Sequence, residues 1–151
     1  MNLVAAHNFL RYENPFLLAS GPPTASRELI ARGFEAGWAG AVTKTIRPDS
    51  MPMSDVSPRF YAFRHGQGDV YGFENIELVS RRSTAYWMET IAGLKRGHPE
   101  KILIASIMGD SGRESWENLA RRCEGAGADA LELNFSCPHG MPERGVGAAI
   151  G

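Results

Sequence analysis

The chain reads as an α/β protein with parallel strands covered by helices, and three observations predict it. Short apolar runs alternate with stretches of helical periodicity. The strand-like runs at 39–44 and 102–107 are too apolar to leave one face in water, as expected of strands buried on both sides. Glycine and proline punctuate the joins between units. Within this class, periodicity alone leaves two architectures open, a doubly wound open sheet and a (β/α)8 barrel.

The elements follow in order. Residues 7–13 are mixed in character and end at the turn signal Asn14-Pro15. A first buried strand is predicted over 16–20, broken by Gly21-Pro22-Pro23. Thr24 or Ser26 is placed to cap a helix that runs through Ala36, with Leu29, Ile30, Gly33 and Phe34 on one face and Gly37 as its stop. The second buried strand covers 39–44. From 46 to 75 the chain is rich in Pro, Gly, Arg and aromatics, lacks clear periodicity and reads as a long functional loop. A helix over 82–96 turns Tyr86, Thr90, Ile91 and Leu94 inward and stops at Gly97 and Pro99. A strand at 102–107, a helix over 111–126 and a buried strand at 130–134 complete the series.

Bulk properties bound the function. A chain of 151 residues suits one domain, residues 1–151, and one core. Its 43% apolar and 22% charged composition is globular. A net charge of −1 gives no basic footprint for nucleic acid. No apolar run approaches a membrane span, and the first residues lack the cationic-then-apolar pattern of a secretory signal. Cys123 lies in a helical pattern with Trp116, Leu119 and Ala120, while Cys137 lies beyond the next strand, so a disulfide is not expected and a reducing cytoplasm fits. Two cysteines do not build an iron–sulfur site by themselves. No group of His, Cys, Asp and Glu has metal-ligand spacing, and Gly145-x-Gly147 is too short for a dinucleotide fingerprint. Arg81-Arg82 and Arg121-Arg122 read as solvated helix faces.

The chemistry concentrates after the last strand. The apolar run from Ala130 ends in Asn134-Phe135-Ser136-Cys137-Pro138-His139-Gly140. In parallel α/β folds the carboxyl ends of strands carry the ligand. A thiol there can serve as proton donor or nucleophile; the rival role for Cys137 is a buried structural cysteine. Asn134 and Asn75 each offer both a donor and an acceptor, the pair of functions that a ligand with alternating C=O and N–H groups needs. The rival roles are a turn amide for Asn134 and a helix N-cap for Asn75, which sits where the long loop meets a helix. Ser136 is a turn hydroxyl or a ligand contact, and His139 shapes the loop or tunes a proton path. Lys44 follows the apolar Ala-Gly-Ala-Val-Thr run, where an ammonium can stabilise negative charge on a bound ring or snorkel to the surface. Strand alternation points the flanking Thr43 and Thr45 away from its face.

These motifs carry a resemblance. Asn134-Phe135-Ser136-Cys137-Pro138-His139-Gly140-Met141, with Glu143-Arg144-Gly145, resembles the catalytic loop of NAD-type dihydropyrimidine dehydrogenases and, more broadly, the flavin barrel of dihydroorotate dehydrogenases. Asn14-Pro15-Phe16-Leu17-Leu18-Ala19-Ser20, Thr43-Lys44-Thr45, Val56-Ser57-Pro58-Arg59, Asn75-Ile76-Glu77-Leu78 and Ile104-Ala105-Ser106-Ile107-Met108 agree, in family order.

The resemblance implies a dihydroorotate dehydrogenase-like (β/α)8 barrel. A full barrel takes about 250 residues, so the four core strands here correspond to its N-terminal half. It implies FMN as cofactor, held through Ala19, Ser20, Lys44 and Thr45, and substrate contacts at Asn75, Asn134 and Ser136. Cys137 would be the catalytic proton carrier. The implied reaction interconverts uracil or thymine with the 5,6-dihydro form. NAD(H) and iron–sulfur clusters would lie on a partner subunit or domain rather than on this chain. The half-barrel reading further implies a chain that is inactive alone, does not retain FMN, and associates as a homo-oligomer or aggregate. Dihydroorotate dehydrogenase is the nearest rival activity; a fragment with no catalytic role is the rival of another class. Val56-Ser57-Pro58-Arg59, Asn75-Ile76-Glu77-Leu78 and His139-Gly140-Met141 look closer to the pyrimidine-catabolic branch.

Overall fold

A computed structural model of the chain describes residues 3–53, 57–110 and 112–135. An antiparallel hairpin comes first, β1 (Ala5–His7) and β2 (Leu10–Tyr12). Asn8 turns it with φ 52, a left-handed conformation that asparagine tolerates. Then follow β3 (Leu17–Leu18), a 3₁₀ turn (Pro22–Thr24), α1 (Arg27–Glu35) and β4 (Gly40–Val42). A second hairpin, β5 (Phe60–Arg64) and β6 (Val70–Asn75), precedes α2 (Thr84–Gly97), β7 (Ile102–Ile107), α3 (Arg113–Gly125) and β8 (Ala130–Leu133).

The predicted core strands form one sheet in the order β3-β4-β7-β8, with every pairing parallel. Chain order and spatial order coincide, so this sheet has no reversal of strand order of the kind that marks a doubly wound fold. One face carries the main core. Ala41, Leu103, Ala105 and Ile107 pack there against Ile30 and Phe34 of α1, Trp87, Ile91 and Leu94 of α2, and Leu119 and Cys123 of α3. Gly40 is required by close approach, because a Cβ there would collide with the Ile102 carbonyl oxygen on the neighbouring strand.

Local chemistry sets the helix ends. The Ser26 hydroxyl accepts from Leu29 N at 3.4 Å and starts α1, which settles the choice between Ser26 and Thr24. Gly37, at φ 95, follows α1 in the left-handed region. Ser83 caps α2 by accepting from Tyr86 N at 3.1 Å, and the Asp49 carboxylate takes Thr84 N at 2.8 Å. Lys95 and Arg96 occupy its last turn, where cations oppose the helix dipole. Lys95 also pairs with Asp129, whose other role is to accept from Leu103 N, so α2 is tied to the approach of β8.

Several expectations are corrected. The stretch 46–75 contains the β5–β6 ribbon, whose aromatics Phe60, Tyr61, Tyr71 and Phe73 are exposed. A two-stranded ribbon is held by cross-strand pairs and its turn and buries little, so no alternation marks it in the sequence. The mixed opening region is likewise a hairpin. Leu29 is exposed rather than inward, whereas Trp87, not among the predicted inward residues, is fully buried with its indole N–H on Ser80 Oγ at 2.8 Å. Gly97 is the last residue of α2 rather than its stop. Arg81 and Arg82 precede α2 instead of lying on it, and the Arg82 guanidinium stands 5.1 Å from the Tyr86 ring. The strand β8 is not buried. Register places Leu131 opposite Ala105 and Leu133 opposite Ile107, on the helix-covered side, but both are exposed.

Candidate functional site

The site is built where the ladder between β4 and β7 breaks. Val42 pairs with Ile104, and the next parallel bridge joins Ile46 to Ile107. Four steps along one strand therefore face three along the other, which is one extra residue and a bulge in the β4 extension. Thr43 N still reaches Ile104 O at 2.9 Å, and Ile46 N reaches Ser106 O at 2.8 Å. Ser106 N is left without a backbone acceptor, and Thr43 Oγ1 takes it at 3.1 Å. Lys44 and Thr45 sit in the bulge, freed from strict alternation, and face different surroundings.

Thr45 is the hub of a polar cluster. Its Oγ1 lies 2.9 Å from Ser106 Oγ, 2.9 Å from Asn134 Nδ2 and 3.5 Å from Ser20 Oγ. Those four residues come from the carboxyl ends of β3, β4, β7 and β8, so each strand of the sheet contributes one. Thr45 and Ser106 are buried, while Ser20 and Asn134 are half-buried. Asn134 N continues the β7–β8 ladder onto Ile107 O at 2.9 Å, which holds the amide in place.

Lys44 faces the other way. Its ammonium forms an ion pair with Glu77, which also accepts from Leu78 N at 3.2 Å. Lys44 is buried and Glu77 half-exposed. The pair borders a cavity of about 440 Å³ lined also by Asn75, Arg59, Arg81 and Arg82. Lys44, Arg59, Arg81 and Arg82 thus bring cationic side chains to this cavity, groups of the kind that can stabilise a ring that carries or develops negative charge. A larger cleft, about 490 Å³, lies beside the N-terminal turns of α2 and α3 and contains none of the sequence-predicted site residues.

The structure thus brings Ser20, Thr45 and Asn134 together and sets Lys44 and Asn75 around an adjoining cavity. Ala19 follows β3 with an exposed side chain, its carbonyl accepting from Thr24 Oγ1 at 3.2 Å. Asn75 ends β6 and is not a helix cap, because Ser83 caps α2. Ser136, Cys137 and His139 lie outside the described residues. Sequence reading missed Ser106 and Glu77 as site residues. Ser106 left a signal, as the one hydroxyl in the apolar run 102–107; Glu77 stands in the motif Asn75-Ile76-Glu77-Leu78, but nothing in the sequence pairs it with Lys44, 33 residues away.

Cys123 is a separate case. It sits in the main core on α3, and burial pushes its thiol up from 9.0 to about 11. A thiol held neutral this way is unsuited to nucleophilic or acid–base work near neutral pH. Among the described residues no group of His, Cys, Asp and Glu is placed to hold a metal ion, and no helix is long and apolar enough to cross a membrane.

No protein-family profile matches the chain. It is similar to curated proteins, however. It is 43% identical over 149 residues to the chloroplastic dihydropyrimidine dehydrogenase (NADP(+)) of Arabidopsis thaliana, covering 95% of this chain and 35% of that protein. It is 37% identical over 142 residues to the NAD-dependent dihydropyrimidine dehydrogenase subunit PreA of Escherichia coli, covering 94% and 34%. The catalytic subunit of dihydroorotate dehydrogenase B (NAD(+)) of Pyrococcus horikoshii is 32% identical over 142 residues, with 94% and 42% covered. The chain spans about a third of the length of the two dihydropyrimidine dehydrogenase relatives. Along nearly its whole length, then, this chain is a homologue of one part of the dihydropyrimidine dehydrogenases.

Proposed function

We propose that this chain supplies the first four strands, with the three helices between them, of an FMN-binding barrel that interconverts uracil or thymine with 5,6-dihydropyrimidines. The observation that carries this is the convergence of Ser20, Thr45, Ser106 and Asn134 at the carboxyl ends of four consecutive parallel strands. Sequential strand order supports the barrel, because each right-handed crossover then lays its helix on the same outer face. The higher identity to the dihydropyrimidine dehydrogenases favours them over the dihydroorotate enzymes.

The residues present fit a flavin. Hydroxyls of Ser20 and Thr45, the Lys44 ammonium and the Asn134 amide are the donor and acceptor types that match the polar edge of an isoalloxazine. Small Ala19 and Ser20 let a ring approach the backbone. The Lys44 ammonium, with three N–H donors, gives one of them to Glu77. Bound FMN would supply hydride chemistry at the pyrimidine 5,6 bond. The chain's own residues would do the rest. Lys44 stabilises negative charge, Asn75, Asn134 and Ser136 orient the pyrimidine, and Cys137 carries the proton at ring carbon 5. NAD(H) would be the distant electron source, reached through an iron–sulfur-bearing subunit or domain, as the PreA relative's being a subunit suggests.

The test is flavin and substrate together. The complete protein should purify with FMN, and added uracil or thymine should perturb the flavin spectrum at lower concentration than orotate. Orotate as the tighter ligand would favour the dihydroorotate dehydrogenase reading, and absence of flavin would sink both.

A further inference from the structure

Resting on the reading of Asn75 as a pyrimidine contact, we propose that Glu77 is a specificity-determining residue of the same cavity. Its carboxylate takes the place beside Lys44 that a ligand carboxylate would claim. It thereby admits neutral pyrimidines and turns away those that carry a carboxylate on the ring.

Glu77 comes two residues after Asn75, the end of β6, and both line the cavity of about 440 Å³ together with Lys44. The segment that carries it is fastened at both ends. Ile76 N donates to Arg59 O at 2.9 Å, and Ser80 N donates to Thr45 O at 2.8 Å. Between these ties the carboxylate is held through Oε1, which accepts from both Lys44 Nζ and Leu78 N. Lys44 is the covered member of the ion pair and Glu77 the accessible one. Among the described residues that line the cavity, Glu77 is the one carboxylate.

An ammonium and a carboxylate in contact are neutral as a unit. The pair can still give an N–H to a ring carbonyl, but it offers no unmatched charge to a ligand anion. A ring carboxylate brought to the same ammonium meets Glu77 as a like charge, and the burial of Lys44 leaves little water there to screen the repulsion. Selection of this kind rests on a repulsive element as much as on an attractive one. With Glu77 uncharged, Lys44 lacks its counter-ion, and a ligand carboxylate becomes the group that restores the pair.

The experiment titrates the complete FMN-loaded protein by calorimetry with uracil, orotate and orotamide, the neutral amide that matches orotate in size. The proteins are wild type, Glu77→Gln, Glu77→Asp and Glu74→Gln, the last removing the same charge from an exposed residue of β6 that does not line the cavity. Wild type and Glu74→Gln should bind orotamide about tenfold more tightly than orotate. Glu77→Gln should close or reverse that gap by strengthening orotate, and Glu77→Asp should keep it. A loss of packing alone would shift orotate and orotamide together. Equal binding of the two by wild type, a comparison that needs no variant, would overturn the proposal, and so would an unchanged ratio in Glu77→Gln. Either result with uracil still bound leaves the substrate reading standing. Wild-type protein that binds none of the three refutes that reading and the proposal with it.

Discussion

Thr45 and Asn134, 89 residues apart in the chain, are joined by a 2.9 Å hydrogen bond from the asparagine amide to the threonine hydroxyl. This bond fastens the end of the last strand to the bulge that follows β4. It exists because one extra residue in the ladder turns Thr45 out of register. Thr45→Val keeps the shape but removes the hydroxyl, leaving Asn134 Nδ2 and Ser106 Oγ without their shared partner. The expected loss in urea denaturation is about 1–3 kcal/mol. Thr45→Ser keeps the hydroxyl and should cost less than about 1 kcal/mol. Equal losses for the two variants would remove the hub from the stability account.

The Lys44–Glu77 pair should respond asymmetrically. Lys44 is buried, with its side chain 9% exposed, whereas Glu77 is 41% exposed. Glu77→Gln strands a buried ammonium, while Lys44→Met leaves a carboxylate that water can solvate. A fully buried broken pair costs about 3–5 kcal/mol, and solvent at Glu77 reduces that to roughly 1–3 kcal/mol for Glu77→Gln. Lys44→Met should cost less. A double-mutant cycle in chemical denaturation reads both, and a larger loss for Lys44→Met would contradict the assigned burial.

Much of the fold was legible because burial on both faces writes a strong signal. The runs 39–44 and 102–107 became β4 and β7, and Ser26, one of the two candidate caps, and the glycine after α1 fell where turn chemistry puts them. The hairpins were not legible. Their residues are mostly exposed, so nothing in the pattern of apolar positions distinguishes Phe60–Arg64 from a loop. The exposure of Leu131 and Leu133 was invisible for the opposite reason, since an apolar run reads the same whether or not something covers it. Of the site, Ser20, Thr45 and Asn134 were named from motifs, but their meeting at one hydroxyl depends on the bulge, and a bulge in a parallel ladder has no sequence signature here. Glu77 joins Lys44 across 33 residues, a pairing that only the folded chain displays.

Cys123 makes stability depend on alkaline pH. Its folded-state thiol is raised from 9.0 to about 11 by burial. Below about pH 9 both states keep the proton and the contribution is fully present. Between about pH 9 and 11 the unfolded chain releases the proton while the folded one holds it, so stability falls as pH rises, by about 2–3 kcal/mol in total. Cys123→Ala should be less stable at neutral pH, through the lost core contacts, and should show a shallower decline over that window. Denaturation midpoints of both proteins at closely spaced pH values give the comparison. Parallel curves would mean that the thiol ionises alike in both states.

The most direct measurement of the central claim is single-turnover reoxidation of reduced FMN by uracil in the complete protein. Wild type should reoxidise rapidly. If Cys137 delivers the proton, Cys137→Ala should bind FMN normally yet react about 10² to 10⁴ times more slowly, the usual worth of one general acid. Cys137→Ser should stay slow, because a hydroxyl is a far weaker acid than a thiol of pKa about 8.5. Cys123→Ala, altered only in the core of α3, should react at the wild-type rate. Near-normal reoxidation in Cys137→Ala, or an equal loss in Cys123→Ala, would contradict the account.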